Sequence, residues 1–226
     1  MFSSKNSIGD LFWIGFVICG IILGFGLKYT EKYQSNGLRT SIVSDKRQTL
    51  HRIYTAEIGV REPTGRNDGI RVQEYLQEVG LKGNYSYCAA FVSYTFSQAG
   101  MAEPRTAWSP ALFPDKRVVW ERGEKTNVMP GSGMLRLAPL AQKNVKMGDV
   151  FGLYFSELKR IAHCGFVDQW DGTWCITVEA NTNSVGAVIS ENDLGNPIRA
   201  GPGEGVYRKK RLVRTIYKVA DWMSIK

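Results

Sequence analysis

Histidine is the scarcest reactive side chain in this sequence. Its 226 residues hold two, His51 and His163, so any chemistry that needs an imidazole has few ways to be assembled. Cysteine is nearly as rare, at Cys19, Cys88, Cys164 and Cys175. Cys19 lies in an apolar N-terminal run, and the remaining three do not suggest a disulfide framework. No cysteine pair has ligand-like spacing with a histidine nearby, so neither a metal nor another cofactor is expected. Zinc-finger spacing, an RNA-binding signature and a long basic helix are all missing. The net charge of +8 therefore does not point to nucleic acid. It favours anionic surroundings such as phospholipid headgroups or an acidic wall polymer. No internal repeat is present.

Residues 11–27 (LFWIGFVICGIILGFGL) carry no charge. As a helix they would span about 25 Å, slightly short of the roughly 30 Å hydrocarbon core. The expectation is an uncleaved single-pass anchor over residues 1–28. The competing signal peptide is disfavoured by the length of the run and by the lack of a small-x-small cleavage site after Leu27. Basic residues flank the run on both sides, so charge alone does not set its orientation. The polar stretch 29–45 reads as a tether. One domain is then expected over residues 46–226.

Within that domain, Leu50, Ile53, Tyr54 and Ile58 share a helical face over 47–58, and Gly59 ends the helix. His51 falls on this helix as an exposed or half-exposed residue. A loop, Thr64-Gly65-Arg66-Asn67-Asp68-Gly69, precedes a second helix over 69–79, for which Asp68 is the expected cap. A third helix runs from about Ser86 to Ala99, with Gly100 closing it. Residues 101–144 are punctuated by Pro and Gly and resist assignment. Strands are expected at 150–155, 161–169, 173–181 and 212–219. Helices followed by strands give an α+β class, with a helical layer packed on an antiparallel sheet.

The hairpin joining 161–169 to 173–181 can be put in register from its apolar pattern. A two-residue loop, Asp171-Gly172, mixes polar and apolar side chains on both faces. A three-residue loop, Trp170-Asp171-Gly172, sorts them. Ala162, Cys164, Phe166, Trp174, Ile176, Val178 and Ala180 then share one face. His163, Gly165, Val167, Gln169, Thr173, Cys175, Thr177, Glu179 and Asn181 share the other. This register sets His163 opposite Glu179, with Cβ atoms about 5 Å apart, and leaves Asn181 as a diagonal neighbour. It also parts Cys164 from Cys175, so no disulfide is expected between them.

Cys88 lies where a polar loop turns into an apolar helix. The positive end of the helix dipole, together with a neighbouring imidazolium, lowers a thiol pKa and produces a thiolate nucleophile. The first free N–H groups of the helix, including that of Cys88, can hold an oxyanion. Tyr87 or Tyr85 is a candidate second donor. His163 is the general acid and base, with Glu179 or Asn181 setting its tautomer.

The segments Tyr87-Cys88-Ala89-Ala90-Phe91-Val92, Lys146-Met147-Gly148-Asp149-Val150, His163-Cys164-Gly165-Phe166-Val167 and Val178-Glu179-Ala180-Asn181-Thr182 together resemble the CHAP family. These are cysteine, histidine-dependent amidohydrolases and peptidases of the papain-like superfamily. The resemblance covers about residues 56–181. Carried over by position, it implies Cys88 as nucleophile, His163 as base, and Glu179 and Asn181 as orienting partners. The implied substrate is an amide bond in the peptide part of peptidoglycan. The residue before the cysteine departs from the family pattern, being Tyr87 where Trp is common. The Asp-Cys-Ser of the sister NlpC-type peptidases is absent.

A wall enzyme acts outside the cytoplasmic membrane. Its place would suit local wall opening, for remodelling or for an envelope-spanning secretion or conjugation apparatus. Two rival readings remain: a catalytically silent wall-binding or scaffold module, and a papain-like protease acting on protein. The run Arg208-Lys209-Lys210-Arg211 reads as a solvated turn before a strand, or as a dock for an anionic surface.

Overall fold

The computed structural model describes residues 41–123, 145–188, 190–191, 197–198 and 203–224. Those from Lys46 onward belong to one compact unit. Its class is α+β, with three α-helices among the described residues and a six-stranded sheet whose paired strands all run antiparallel. One part of the expected architecture is corrected. Among the described residues no helix is long and apolar enough to cross a membrane, so the described fold is not one headed by a membrane helix. Residues 11–27, on which that expectation rested, lie outside the described residues, as do 29–40 of the tether.

The first helix, α1, covers residues 41–56, so the last five residues of the expected tether are helical. Helix α2 is Ile70–Glu78 and α3 is Cys88–Gln98. The apolar spacing of Val72, Tyr75 and Leu76 puts these three side chains in the core. Asp68 does not cap α2, because its carboxylate accepts from the Thr64 N–H and hydroxyl instead. Gly69 occupies the cap position at φ 110° with no side-chain cap, a backbone angle that suits glycine. Helix α3 is buried on every side from Cys88 to Phe96, as a helix apolar all round must be.

Short 3₁₀ turns at Ser109–Leu112 and Asp115–Arg117 lead into β1, Val118–Glu121. The main sheet continues with β2 (Val150–Phe155), β3 (Arg160–Trp170) and β4 (Trp174–Thr182). A separate pair, β5 (Ser190–Glu191) with β6 (Pro197–Ile198), follows. β7 (Gly205–Leu212) and β8 (Lys218–Ala220) complete the sheet in the order β1-β8-β2-β3-β4-β7. The expected single strand over 212–219 is in fact the end of β7, a 3₁₀ turn at Val213–Thr215 and β8.

The sheet has a core on each side of β3. Phe166 stacks on Tyr54 of α1 and meets Phe91 and Phe96 of α3. Alternation sends its neighbour Val167 the other way, into a cluster with Phe151, Cys175, Val213, Ile216 and Val219. Cys164 and Cys175 are thus in separate surroundings, and Cys88, Cys164 and Cys175 are all free thiols.

The β3–β4 register differs from expectation. Phe166 faces Val178 and Val167 faces Thr177, two residues further along β4 than the three-residue loop requires. A slip of two keeps the side chains up to Val167 on their faces, so the apolar pattern fixes parity there but not register; Gln169, expected beside Val167, pairs with Ile176 and takes the opposite face. The displacement has two causes. A bulge between Val167 and Gln169 spends an extra residue on β3. There Asp168 turns to the helical side, accepting from Tyr54 Oη at 3.1 Å and from Arg208 Nε at 2.8 Å, with His51 Nε2 3.0 Å from Oδ1. The chain then reverses after the Trp170–Cys175 pair. Asp171 Oδ1 accepts the N–H groups of Thr173 and Trp174, and Gly172 takes φ 91°.

Candidate active site

The first turn of α3 carries Cys88 at its first helical position, with Tyr87 as N-cap. Two bonds fix this entry. The Tyr87 N–H donates to Asn181 Oδ1 at 3.2 Å, and the Tyr87 hydroxyl donates to Glu62 Oε1 at 2.8 Å. Glu62 Oε2 accepts the Asn67 N–H at 2.7 Å, while Asn67 Oδ1 accepts from Asn181 Nδ2 at 2.6 Å. The loop before α2 and the end of β4 therefore clasp the start of α3. The first intrahelical bond here is Phe91 N–H to Tyr87 O. The N–H of Cys88 lies ahead of it, in the part of the turn that the helix itself leaves without acceptors.

His163 comes from β3 and Glu179 from β4. His163 Nε2 donates to Glu179 Oε2 at 2.9 Å, although the register makes them diagonal rather than directly opposed. The side of the ring away from Glu179 is left for Cys88, which lies near enough for thiol and ring to shift each other's ionisation. Gly165 permits the close approach of the strands. A Cβ on it would lie 2.5 Å from Val178 O and 3.2 Å from Glu179 Cα.

Glu179 is fully buried and is held by three donors besides His163. Arg211 Nε reaches Oε1 at 2.5 Å and Arg211 Nη2 reaches Oε2 at 2.6 Å, and the Thr177 hydroxyl donates to Oε1. Burial alone would raise the Glu179 pKa. The Arg211 bonds, then those of His163, overcome it and hold the carboxyl well below the usual carboxylate range. A charged carboxylate in turn favours a charged ring. Burial works to lower the His163 pKa, but the hydrogen bonds and charges of Cys88 and Glu179 push it up to about 9.

The thiol moves the opposite way. A hydrogen bond with Cys164 is the largest influence holding Cys88 well below its usual value. Burial opposes it, and His163 and Ser109 add to the lowering. Ser109 Oγ lies 3.5 Å from Cys88 Sγ, and the Cys164 thiol donates to the same oxygen at 3.8 Å. The two directions describe a thiolate–imidazolium pair at neutral pH.

The structure thus brings Cys88, His163 and Glu179 together. Asn181 does not share in holding the ring; it ties the Tyr87 N–H to Asn67 instead. Tyr87 is also not a free donor, since its N–H and hydroxyl are both engaged and its ring is buried against Tyr75. Tyr85 is exposed in the loop ahead of α3.

Three participants were not legible in the sequence. Ser109 lies within the unassigned stretch 101–144. Cys164 was placed only by its strand face. Arg211 sat in the basic run taken for a solvated turn or a surface dock, yet that run is the body of β7. Arg208 pairs with Asp168, Lys209 Nζ donates to Thr182 Oγ1 and Asn183 O, and Lys210 lies over the Trp174 ring. Strand alternation was the available signal. Glu179 faces Tyr207 and Cys175 faces Arg211, so residues 207, 209 and 211 share the face of Glu179.

Among the described residues no group of three or more His, Cys, Asp or Glu side chains could hold a metal ion. No family model, curated protein or solved structure matches the chain.

Proposed function

We propose that the chain is a cysteine amidohydrolase of CHAP type, cleaving an amide bond in the peptide part of peptidoglycan. The observation that carries the reaction class is the ordered series Cys88, His163, Glu179 and Arg211. A thiol at a helix start shares its charge with a nearby imidazole, whose Nε2 is bound to a buried, ion-paired carboxylate. The substrate class rests on the motif resemblance and on the excess of positive charge.

The Cys88 thiolate attacks the carbonyl carbon, and the oxyanion takes the N–H at the start of α3. As the C–N bond breaks, the His163 imidazolium gives its proton to the leaving amine. His163, now neutral, takes a proton from water as it attacks the thioester, which frees Cys88. Glu179 keeps Nε2–H fixed throughout, so the nitrogen facing the thiol is the one that exchanges protons. Such a substrate places the domain outside the cytoplasmic membrane.

The test is digestion of purified peptidoglycan by the full chain and by Cys88→Ala, with the products read by mass spectrometry. Release of muropeptides or new amines by the wild type alone is expected, and the product masses identify the cleaved bond. Equal release by both proteins overturns the proposal. Cleavage of casein with intact murein replaces it with a protein-directed protease.

A further inference from the structure

Cys164 has no part in the reaction written above, yet it lies against the nucleophile. The Ser109 hydroxyl touches both sulfurs, at 3.5 and 3.8 Å, and the two thiols are close enough to shift each other's ionisation. One sulfur is fixed by the first turn of α3 and the other by the middle of β3, beside His163. Cys175, the third thiol of the described residues, lies in the separate cluster on the other side of β3.

We propose that Cys88 and Cys164 form a reversible disulfide through exchange with a low-molecular-weight disulfide, and that this bond switches the site off. The switching clause rests on the function proposed above, while the bond itself does not.

The exchange balances without any further reactant. The Cys88 thiolate attacks one sulfur of the small disulfide, forming a mixed disulfide and expelling a small thiolate. The proton held by His163 passes to that leaving group. With Cys88 bonded, its negative charge no longer opposes ionisation of Cys164, whose thiol is otherwise held up by burial and then by Cys88. His163 takes the Cys164 proton, and the Cys164 sulfur attacks Cys88. The second small thiolate leaves and takes the proton. The small disulfide is reduced to two thiols as Cys88 and Cys164 are oxidised. The product has no thiolate to attack a carbonyl, and a dithiol restores it. Cys88 is the member of the pair that retains a small exposure, 5% against none for Cys164, so the exchange begins there.

The experiment uses the full chain, reduced and then incubated with oxidised glutathione. Free thiols are alkylated, and the chain is digested for peptide mass mapping. The expected result is a Cys88–Cys164 linked peptide, two hydrogens lighter than the separate peptides, with Cys175 still alkylated. Dithiothreitol should reverse the link and restore Cys88 alkylation. Cys164→Ser, or Cys164→Ala should the serine variant fail to fold, is expected to stop at a glutathione adduct on Cys88. The proposal is overturned if the wild type also stops at that adduct with Cys164 free, or if Cys88 and Cys164 are alkylated equally with and without oxidised glutathione. The readout is mass, so it holds whether or not murein is cleaved. Inactivity of the fully reduced protein would count against the proposed function alone.

Discussion

Arg211 grips both carboxylate oxygens of Glu179, Nε to Oε1 at 2.5 Å and Nη2 to Oε2 at 2.6 Å, while Glu179 holds His163. The guanidinium thus positions the base through an intermediary. Arg211→Ala leaves a buried carboxylate short of its main cation, which costs about 3–5 kcal/mol of stability in urea denaturation. Loss of a fixed general base is expected to lower kcat by about a hundredfold or more with KM little changed. Arg211→Lys cannot form the two-pronged contact and should recover only part of either quantity. Unchanged kcat in a folded Arg211→Ala protein would remove Arg211 from the site.

The thiolate–imidazolium pair sets a pH window. Cys88 is lowered and His163 is raised to about 9. Alkylation of Cys88 by iodoacetamide should be fast and nearly flat through neutral pH, where an ordinary thiol would still be gaining reactivity. Hydrolysis needs the His163 proton for the leaving amine and should fall as pH climbs through about 9. The stability contribution has the same sign. The folded value lies above the ordinary 6.5, so the stabilisation is complete below 6.5 and is lost as pH rises through 9. A Cys88 alkylation rate that rises steadily through neutral pH would contradict the pair.

Gly165→Ala tests the strand spacing behind the base. Its Cβ would meet the Val178 carbonyl at 2.5 Å, and backbone cannot yield as a side-chain tip can. Parting β3 from β4 is expected to destabilise the fold by about 1–3 kcal/mol. It should also lower activity further than the melting temperature explains, because the same movement draws Glu179 from His163. Wild-type activity in a folded variant would show that the spacing is not needed.

Away from the site, Arg47 bridges two buried carboxylates, Asp149 Oδ1 and Asp221 Oδ1, each at 2.8 Å. Burial raises Asp149 to about 7; Arg47 works against the rise and Asp221 adds to it. A folded value above the ordinary 3.8 means that this group favours folding at low pH and loses that contribution as pH rises through about 7. Arg47→Met removes the lowering influence, so the loss deepens and extends upward. A cost of about 3–5 kcal/mol is expected near neutral pH, and a smaller one at about pH 5, where Asp149 is protonated. Urea titrations at both pH values check this; an equal cost at both would refute it.

Legibility in the sequence tracked the kind of signal. Helix α3 showed itself through an unbroken apolar run closed by Gly100, and α2 through Val72, Tyr75 and Leu76. Up to Val167 the β3–β4 hairpin revealed which side chains share a face, because apolar alternation encodes parity; past the bulge Gln169 departs from it. Its register stayed hidden, since the bulge at Asp168 exists to satisfy Tyr54, His51 and Arg208, contacts distant in the chain. β7 was missed for a related reason. Its residues Arg208 to Arg211 look solvated, and only their partners Asp168, Thr182, Trp174 and Glu179 make a basic strand stable. Ser109 could not be found at all, because nothing local to its loop announces a sulfur nearby.

Glu179 and Asn181 stand two residues apart on β4, and between them they govern both halves of the reaction centre. The first restrains the ring that moves protons. The second grips the main chain just ahead of the attacking sulfur. Because one interior strand supplies both restraints, a change in the placement of β4 would act on base and nucleophile together.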